Sequence, residues 1–170
     1  MAVHTEKAQL ITDRLLRSWV RCRRKAWLDK YGEKSKRLWT AHSSLKLDHQ
    51  HRSFVSFINE SPGRGLQACK EGASFVTGLK LKGKTPSGQA IEARPPLLKK
   101  VPGISKWGQF SYLPVITRQG YNITLEHKLS VSLSAFLLEK IQLTPVDKAL
   151  SISKTVSGLE TESFLIPKKL

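Results

Sequence analysis

The side chains with the plainest chemistry in this sequence are cations. Arg14, Arg17, Arg21, Arg23, Arg24, Lys25 and Lys30 crowd one short stretch; counting on to Arg37 gives ten basic residues against three acidic ones, Asp13, Asp29 and Glu33. So few acids exclude ion-pair lacing as the reason for the run. Lys80, Lys82 and Lys84 alternate at the strand period, which lines one face with charge, and Lys99, Lys100 and Lys106 extend the set against a single acid, Glu92. Such arrays meet phosphates, release counterions and bind in a salt-sensitive way with little sequence preference. Trp39 and Trp107 stand near basic residues and could stack on unpaired bases, their other role being core packing. No helix-turn-helix, zinc-finger or RNP signature is present to read base edges.

The whole chain repeats the imbalance. Its 170 residues carry 29 Lys and Arg against 13 Asp and Glu, a net charge of +16. That surplus favours a polyanion, most often nucleic acid, with an acidic protein or a ribonucleoprotein as the other candidate partner. An apolar fraction of 39% is enough for a core and argues against wholesale disorder. No apolar run approaches the roughly 18 residues that cross a bilayer, so no membrane partner is expected. Met1 to Gln9 is polar throughout, without the apolar stretch of a secretory signal. Cys22 and Cys69 are the only cysteines and form no CxxC, which reads as a reduced, cytoplasmic protein.

The elements that position these groups follow from period and punctuation. A helix is predicted from Thr12 to Tyr31, with Thr12 as N-cap, Gly32 as its end and Leu16, Trp19, Val20, Trp27 and Tyr31 as its buried face. A second runs from Ser44 to Asn59 with Leu47, Phe54, Val55 and Ile58 inward, and Ser61-Pro62-Gly63 stops it. Strands are predicted over Ser74–Leu81, Ala90–Lys99 and Phe110–Arg118, the second irregular at Pro95-Pro96. A third helix spans Thr124 to Gln142 on a stripe of Leu125, Leu129, Leu133, Phe136, Leu137 and Ile141, and Ala149–Lys154 is a last short strand. The expected organisation is a disordered N-terminus (1–10), one α+β domain (11–155) and a weakly determined tail (156–170).

Several stretches resemble RecB-like nucleases of the PD-(D/E)XK superfamily. Leu10-Ile11-Thr12-Asp13 with Cys22-Arg23-Arg24-Lys25-Ala26-Trp27-Leu28-Asp29-Lys30-Tyr31-Gly32 is similar to their opening helix, and Pro95 to Tyr112 to their metal-binding hairpin. Pro114 to Gly120 looks like the strand ending in the catalytic lysine, and Glu126-His127-Lys128-Leu129 like the start of the next helix. The resemblance spans nearly the whole chain and implies an αβββαβ core with an additional N-terminal helix. It further implies that the first helix and the hairpin border a nucleic-acid groove, and that two carboxylates hold Mg²⁺ beside a lysine that orients water.

The sequence departs from that pattern at each catalytic position. The first aspartate falls on Pro96, a further one on Gln109, the second acid on Ile116 and the lysine on Arg118. Proline and isoleucine offer no oxygen ligand, and arginine stays protonated and cannot act as a base. Glu92, four residues before Pro96, is the best replacement acid; its other reading is a solvated strand residue. Glu126-His127-Lys128 is a literal E-x-K, but residues two apart on a helix diverge by about 200°. Asp48, His49 and His51 lie where the family often has a metal-facing histidine, and read here as a polar helix face. Cys22 falls where some CRISPR-associated relatives have an iron–sulfur ligand; such a cluster takes four thiolates, so Cys22 reads as packing.

The expectation is a catalytically degenerate RecB-like fold with no metal and no cofactor, binding DNA or RNA through Arg17, Arg21, Arg24, Lys25, Lys80, Lys82, Lys84, Lys99, Lys100, Lys106 and Arg118. Its rivals are a divergent Mg²⁺-dependent nuclease using Glu92, Gln109 and a helix histidine, and a module that docks on an acidic protein or ribonucleoprotein.

Overall fold

A computed structural model of the chain describes residues 10–38 and 40–167. The expected disordered N-terminus (Leu10 apart), Trp39 and the last three residues lie outside the described residues.

Strand β1 (Ile11–Thr12) leads directly into helix α1 (Asp13–Arg21), where the Thr12 hydroxyl accepts from the Leu15 amide as expected of an N-cap. The single helix expected to Tyr31 is two. Cys22 takes extended dihedrals (φ −165°, ψ 118°), and α2 restarts over Arg23–Tyr31, ending at Gly32. The break resets the phase of α2 relative to α1, and the buried set differs from the expected stripe. Trp19, Trp27 and Tyr31, expected inward, are 54%, 60% and 54% exposed, while Asp13, Ser18 and Ala26 are inside. Small residues let the two short helices approach, and the Ser18 hydroxyl bonds the Asp29 carboxylate between them. Cys22, expected as packing, is exposed at the break.

Helix α3 (Ala41–Phe57) starts at Thr40, whose hydroxyl accepts from the Ser43 amide. Of its predicted stripe, Phe54 and Ile58 pack on the sheet, joined by Phe57, whereas Leu47 and Val55 are exposed. The fully buried Ser53 accepts from the Lys154 amide at 3.1 Å and fixes the helix to a strand edge. Strand β2 (Gly63–Arg64) and helix α4 (Gly65–Glu71) were not expected, because elements of two and seven residues are too short to show a period.

Each of the first two predicted strands divides. Ser74–Leu81 breaks at Gly78, in the left-handed region at φ 67°, into β3 (Phe75–Thr77) and β4 (Leu81–Lys84). Ala90–Lys99 breaks at Arg94-Pro95-Pro96 into β5 (Ala90–Ala93) and β6 (Leu97–Ser105), since neither proline has an N–H for a ladder. Then come β7 (Gly108–Thr117), α5 (Leu125–Gln142), β8 (Lys148–Thr155) and β9 (Gly158–Leu165). The last of these corrects the reading of 156–170 as a weakly determined tail.

The strands form two sheets, one of order β2-β3-β6-β7-β8-β9 and one of order β1-β5-β4. In the larger, β3, β6 and β7 make an antiparallel meander, α5 crosses over to bring β8 parallel to β7, and β9 returns antiparallel. The architecture is thus α+β, as expected. Neighbouring residues on these strands serve opposite faces. Phe75, Leu97, Val115 and Ile152 meet Phe54, Phe57 and Ile58 near α3, whereas Val76, Leu98, Tyr112, Ile116 and Ala149 join Ala135 and Leu138 of α5. The smaller sheet closes that second core, lying so near α5 that a Cβ on Gly83 would stand 2.6 Å from Leu137 Cδ2. Among the described residues, no helix is long and apolar enough to cross a membrane.

Candidate nucleic-acid interface

The register Leu97↔Val115 puts Pro96 one residue beyond the end of the β6–β7 ladder, level with Ile116, and Arg118 lies just past β7. Three of the four expected degenerate positions therefore gather at one end of the hairpin. Gln109 does not join them. It is exposed at the opposite end of β7, seven residues and about 23 Å of extended chain from Ile116.

Beside Ile116, Arg118 is only 6% exposed. Its guanidinium sits 3.1 Å from a Glu160 carboxylate oxygen and 3.7 Å from one of Glu162, and donates to the Gly120 carbonyl at 2.6 Å. Both acids come from β9, where residues two apart share a face. This donor set does not fit a divalent ion: proline and isoleucine carry no oxygen ligand, and the nearest carboxylates already hold a permanent cation. Arg118, expected on the basic surface, is internal.

Glu92 is not a solvated strand residue, and its strand does not belong to the sheet of the hairpin. The break at Arg94–Pro96 leaves it in the smaller sheet, 5% exposed, 3.3 Å from Lys80 Nζ and 3.0 Å from Arg94 Nε. Burial acts to raise its pKa, but hydrogen bonds and charge from Arg94 and Lys80 outweigh it and hold the carboxyl below its ordinary value. On α3, His49 is half-buried while Asp48 and His51 are exposed. Among the described residues no three His, Cys, Asp or Glu side chains converge as a metal-ligand set.

Glu126, of the E-x-K, is a structural hub. Arg21 grips it with two bonds, Nε to Oε2 at 2.6 Å and Nη2 to Oε1 at 2.7 Å, and Lys46 Nζ lies 3.7 Å away. One carboxylate thus ties α1 and α3 to the first turn of α5. Next to it, His127 Nδ1 accepts from the Thr124 amide while the Thr124 hydroxyl accepts from the His127 amide, a reciprocal cap. Burial lowers the pKa of His127, and the charges of Lys46, Arg21 and Arg17 push the same way against Glu126.

The expected phosphate-binding residues divide by their surroundings. Arg17 pairs with Asp13, Lys25 with Asp29, Lys80 with Glu92 and Arg21 with Glu126. Lys100 donates to the Gly72 carbonyl at 2.9 Å on the α5 side, whereas Lys99 lies over the Phe57 ring on the α3 side, so these neighbours belong to opposite faces. Lys106 covers Trp107, a half-buried ring stacked edge-on against Tyr112 in the core. Arg24, Lys82 and Lys84 are exposed and, among the described residues, make no salt bridge.

Two members of the surface were not in the expected set. Arg14 and Arg23 are exposed on α1 and α2 with no salt bridge among the described residues. The three acids of this stretch are engaged by Arg17, Lys25 and Lys36. The helix pair therefore displays a net positive face. Its signal in the sequence is Cys22-Arg23-Arg24-Lys25, four residues without a large apolar side chain in the middle of a supposed stripe.

No protein-family model matches the chain, and no curated protein matches it. Among solved structures, the crystal structure of SSO0001 is similar over 98% of this chain and 72% of that one, at 12% identity and a TM-score of 0.47.

Proposed function

We propose that this chain is a catalytically degenerate RecB-like nuclease-fold protein that binds DNA or RNA through its basic surface without cutting it. The observation that carries the reading is the cationic face of α1 and α2, whose Arg14, Arg23 and Arg24 make no salt bridge among the described residues while the acids nearby are engaged. A chain of net charge +16 attracts phosphate backbones at long range, and a face of this kind converts attraction into contact. The meander–helix–parallel-strand order supports the fold assignment, because the implied αβββαβ core needs it. Pro96, Ile116 and the internal Arg118 support the absence of cleavage, since none can ligate the ion or act as base.

Titration of labelled DNA and RNA at rising salt tests the reading. The expected affinity falls steeply and linearly on a log–log plot, and an Arg23→Glu, Arg24→Glu double variant binds at least about tenfold more weakly with a shallower slope. Affinity indifferent to salt, or none at low salt, would transfer the surface to an acidic protein partner. Incubation with Mg²⁺ should leave both nucleic acids intact; cleavage abolished by Glu92→Ala would establish the active-nuclease alternative.

A further inference from the structure

Trp19 of α1 and Trp27 of α2 face outward and line an open groove of about 460 Å³ along the two helices, together with Leu15, Leu16 and Ala26. Cations stand among the aromatic rings. The Arg23 guanidinium is 5.6 Å from the Trp19 ring centroid and the Lys30 ammonium 5.2 Å from that of Tyr31, which lies 5.6 Å from Trp27. Three large aromatics left more than half exposed on two nine-residue helices form an unusual apolar patch. Its occupant must offer flat apolar faces to the tryptophans and negative charge to the rim.

We infer that this groove is a stacking platform for the unpaired bases of a single-stranded nucleic acid. Bases present π-faces to Trp19 and Trp27, and the connecting phosphates meet Arg23 and Lys30. This rests on the nucleic-acid reading above and narrows it. The bases of a duplex are already stacked on one another and cannot enter, so the groove selects single strands. Charge complementarity favours the same ligand. Asp13 is buried against Arg17, and Asp29 is held by Ser18 and Lys25, so acids near the groove are already paired. The platform is sequence-tolerant, because every base has a face to stack.

Anisotropy titrations of the full chain with an oligothymidylate, an abasic strand of equal phosphate number and a duplex test the inference. The oligothymidylate should bind at least about tenfold tighter than the abasic strand. Trp19→Ala and Trp27→Ala should each weaken oligothymidylate binding by roughly 5- to 100-fold, the range for loss of one stacked base, with abasic binding and the salt slope unchanged. Trp27→Phe, which keeps a π-face, should retain most of the affinity where Trp27→Leu does not. Both tryptophans are exposed, so these variants should melt with the parent; should an alanine variant melt early, the Phe and Leu pair decides alone. Equal binding of the oligothymidylate and the abasic strand, or of parent and leucine variant, overturns the platform while leaving charge-driven binding standing. Failure to bind any nucleic acid overturns both. Tighter binding of polyglutamate than of either strand assigns the groove to an acidic protein and also overturns it.

Discussion

His127 shows how much one side chain's protonation matters here. Its Nδ1 can accept from the Thr124 amide only while that nitrogen is unprotonated. With burial and three nearby cations depressing its pKa below the ordinary 6.5, the unfolded chain takes up the proton first as pH falls. The stability contribution is therefore complete above about pH 6.5 and is lost progressively as pH drops toward the folded-state pKa. Thermal melts between neutral pH and pH 5 should show this loss. His127→Gln keeps a side chain able to close the cap but cannot titrate, so its melting temperature should vary less with pH over that interval. Equal slopes for both proteins would remove His127 as the cause. The carboxyls of Glu92 and Asp29, also depressed, would act only in a more acidic window.

At the scale of elements, β7 depends on a side chain where a strand is missing. Its pairing with β8 begins at Val115, which leaves Tyr112 without a strand neighbour on that edge. Gln142, fully buried at the end of α5, fills the place: its Oε1 accepts from the Tyr112 amide at 2.9 Å and its Nε2 donates to the Tyr112 carbonyl at 3.3 Å. One amide thus locks the crossover helix to the meander. Gln142→Leu keeps the volume and strands both backbone groups, so urea unfolding should show a loss of about 2–4 kcal/mol. Helix α5 itself was legible in the sequence from Thr124 to Gln142, because it is long and strongly apolar. The role of Gln142 was not, since a polar residue closing a helix reads as its exposed end.

For the whole molecule, β9 decides whether β8 is an interior strand or the edge of the larger sheet. It pairs along all of β8 and supplies Glu160 and Glu162 to the buried Arg118. A chain ending at Thr155 would open the β8 edge and leave a guanidinium without its carboxylates. Such a truncation should melt at lower temperature and self-associate on size-exclusion chromatography. If it instead kept the parent's elution volume and melting temperature, the last residues would be the dispensable tail expected from their weak periodicity.

Taken alone, the sequence determined the charge, the α+β class and the order of the main elements. These follow from composition and from periods that persist over eight or more residues, as in β7, α3 and α5. It also identified Pro96, Ile116 and Arg118 as chemically unable to hold a metal, a conclusion that needs only residue type. Tertiary structure alone decided which side chains face outward and which charges are discharged. The expected stripe of α1 and α2 assumed one continuous helix; the chain breaks at the extended Cys22, and Trp19, Trp27 and Tyr31 all stand more than half exposed. In the same way Glu92, Arg21 and Arg118 have partners 12, 105 and 42 residues away in the chain. No local pattern reports such pairings, because the Coulomb energy depends on separation in space and not along the chain.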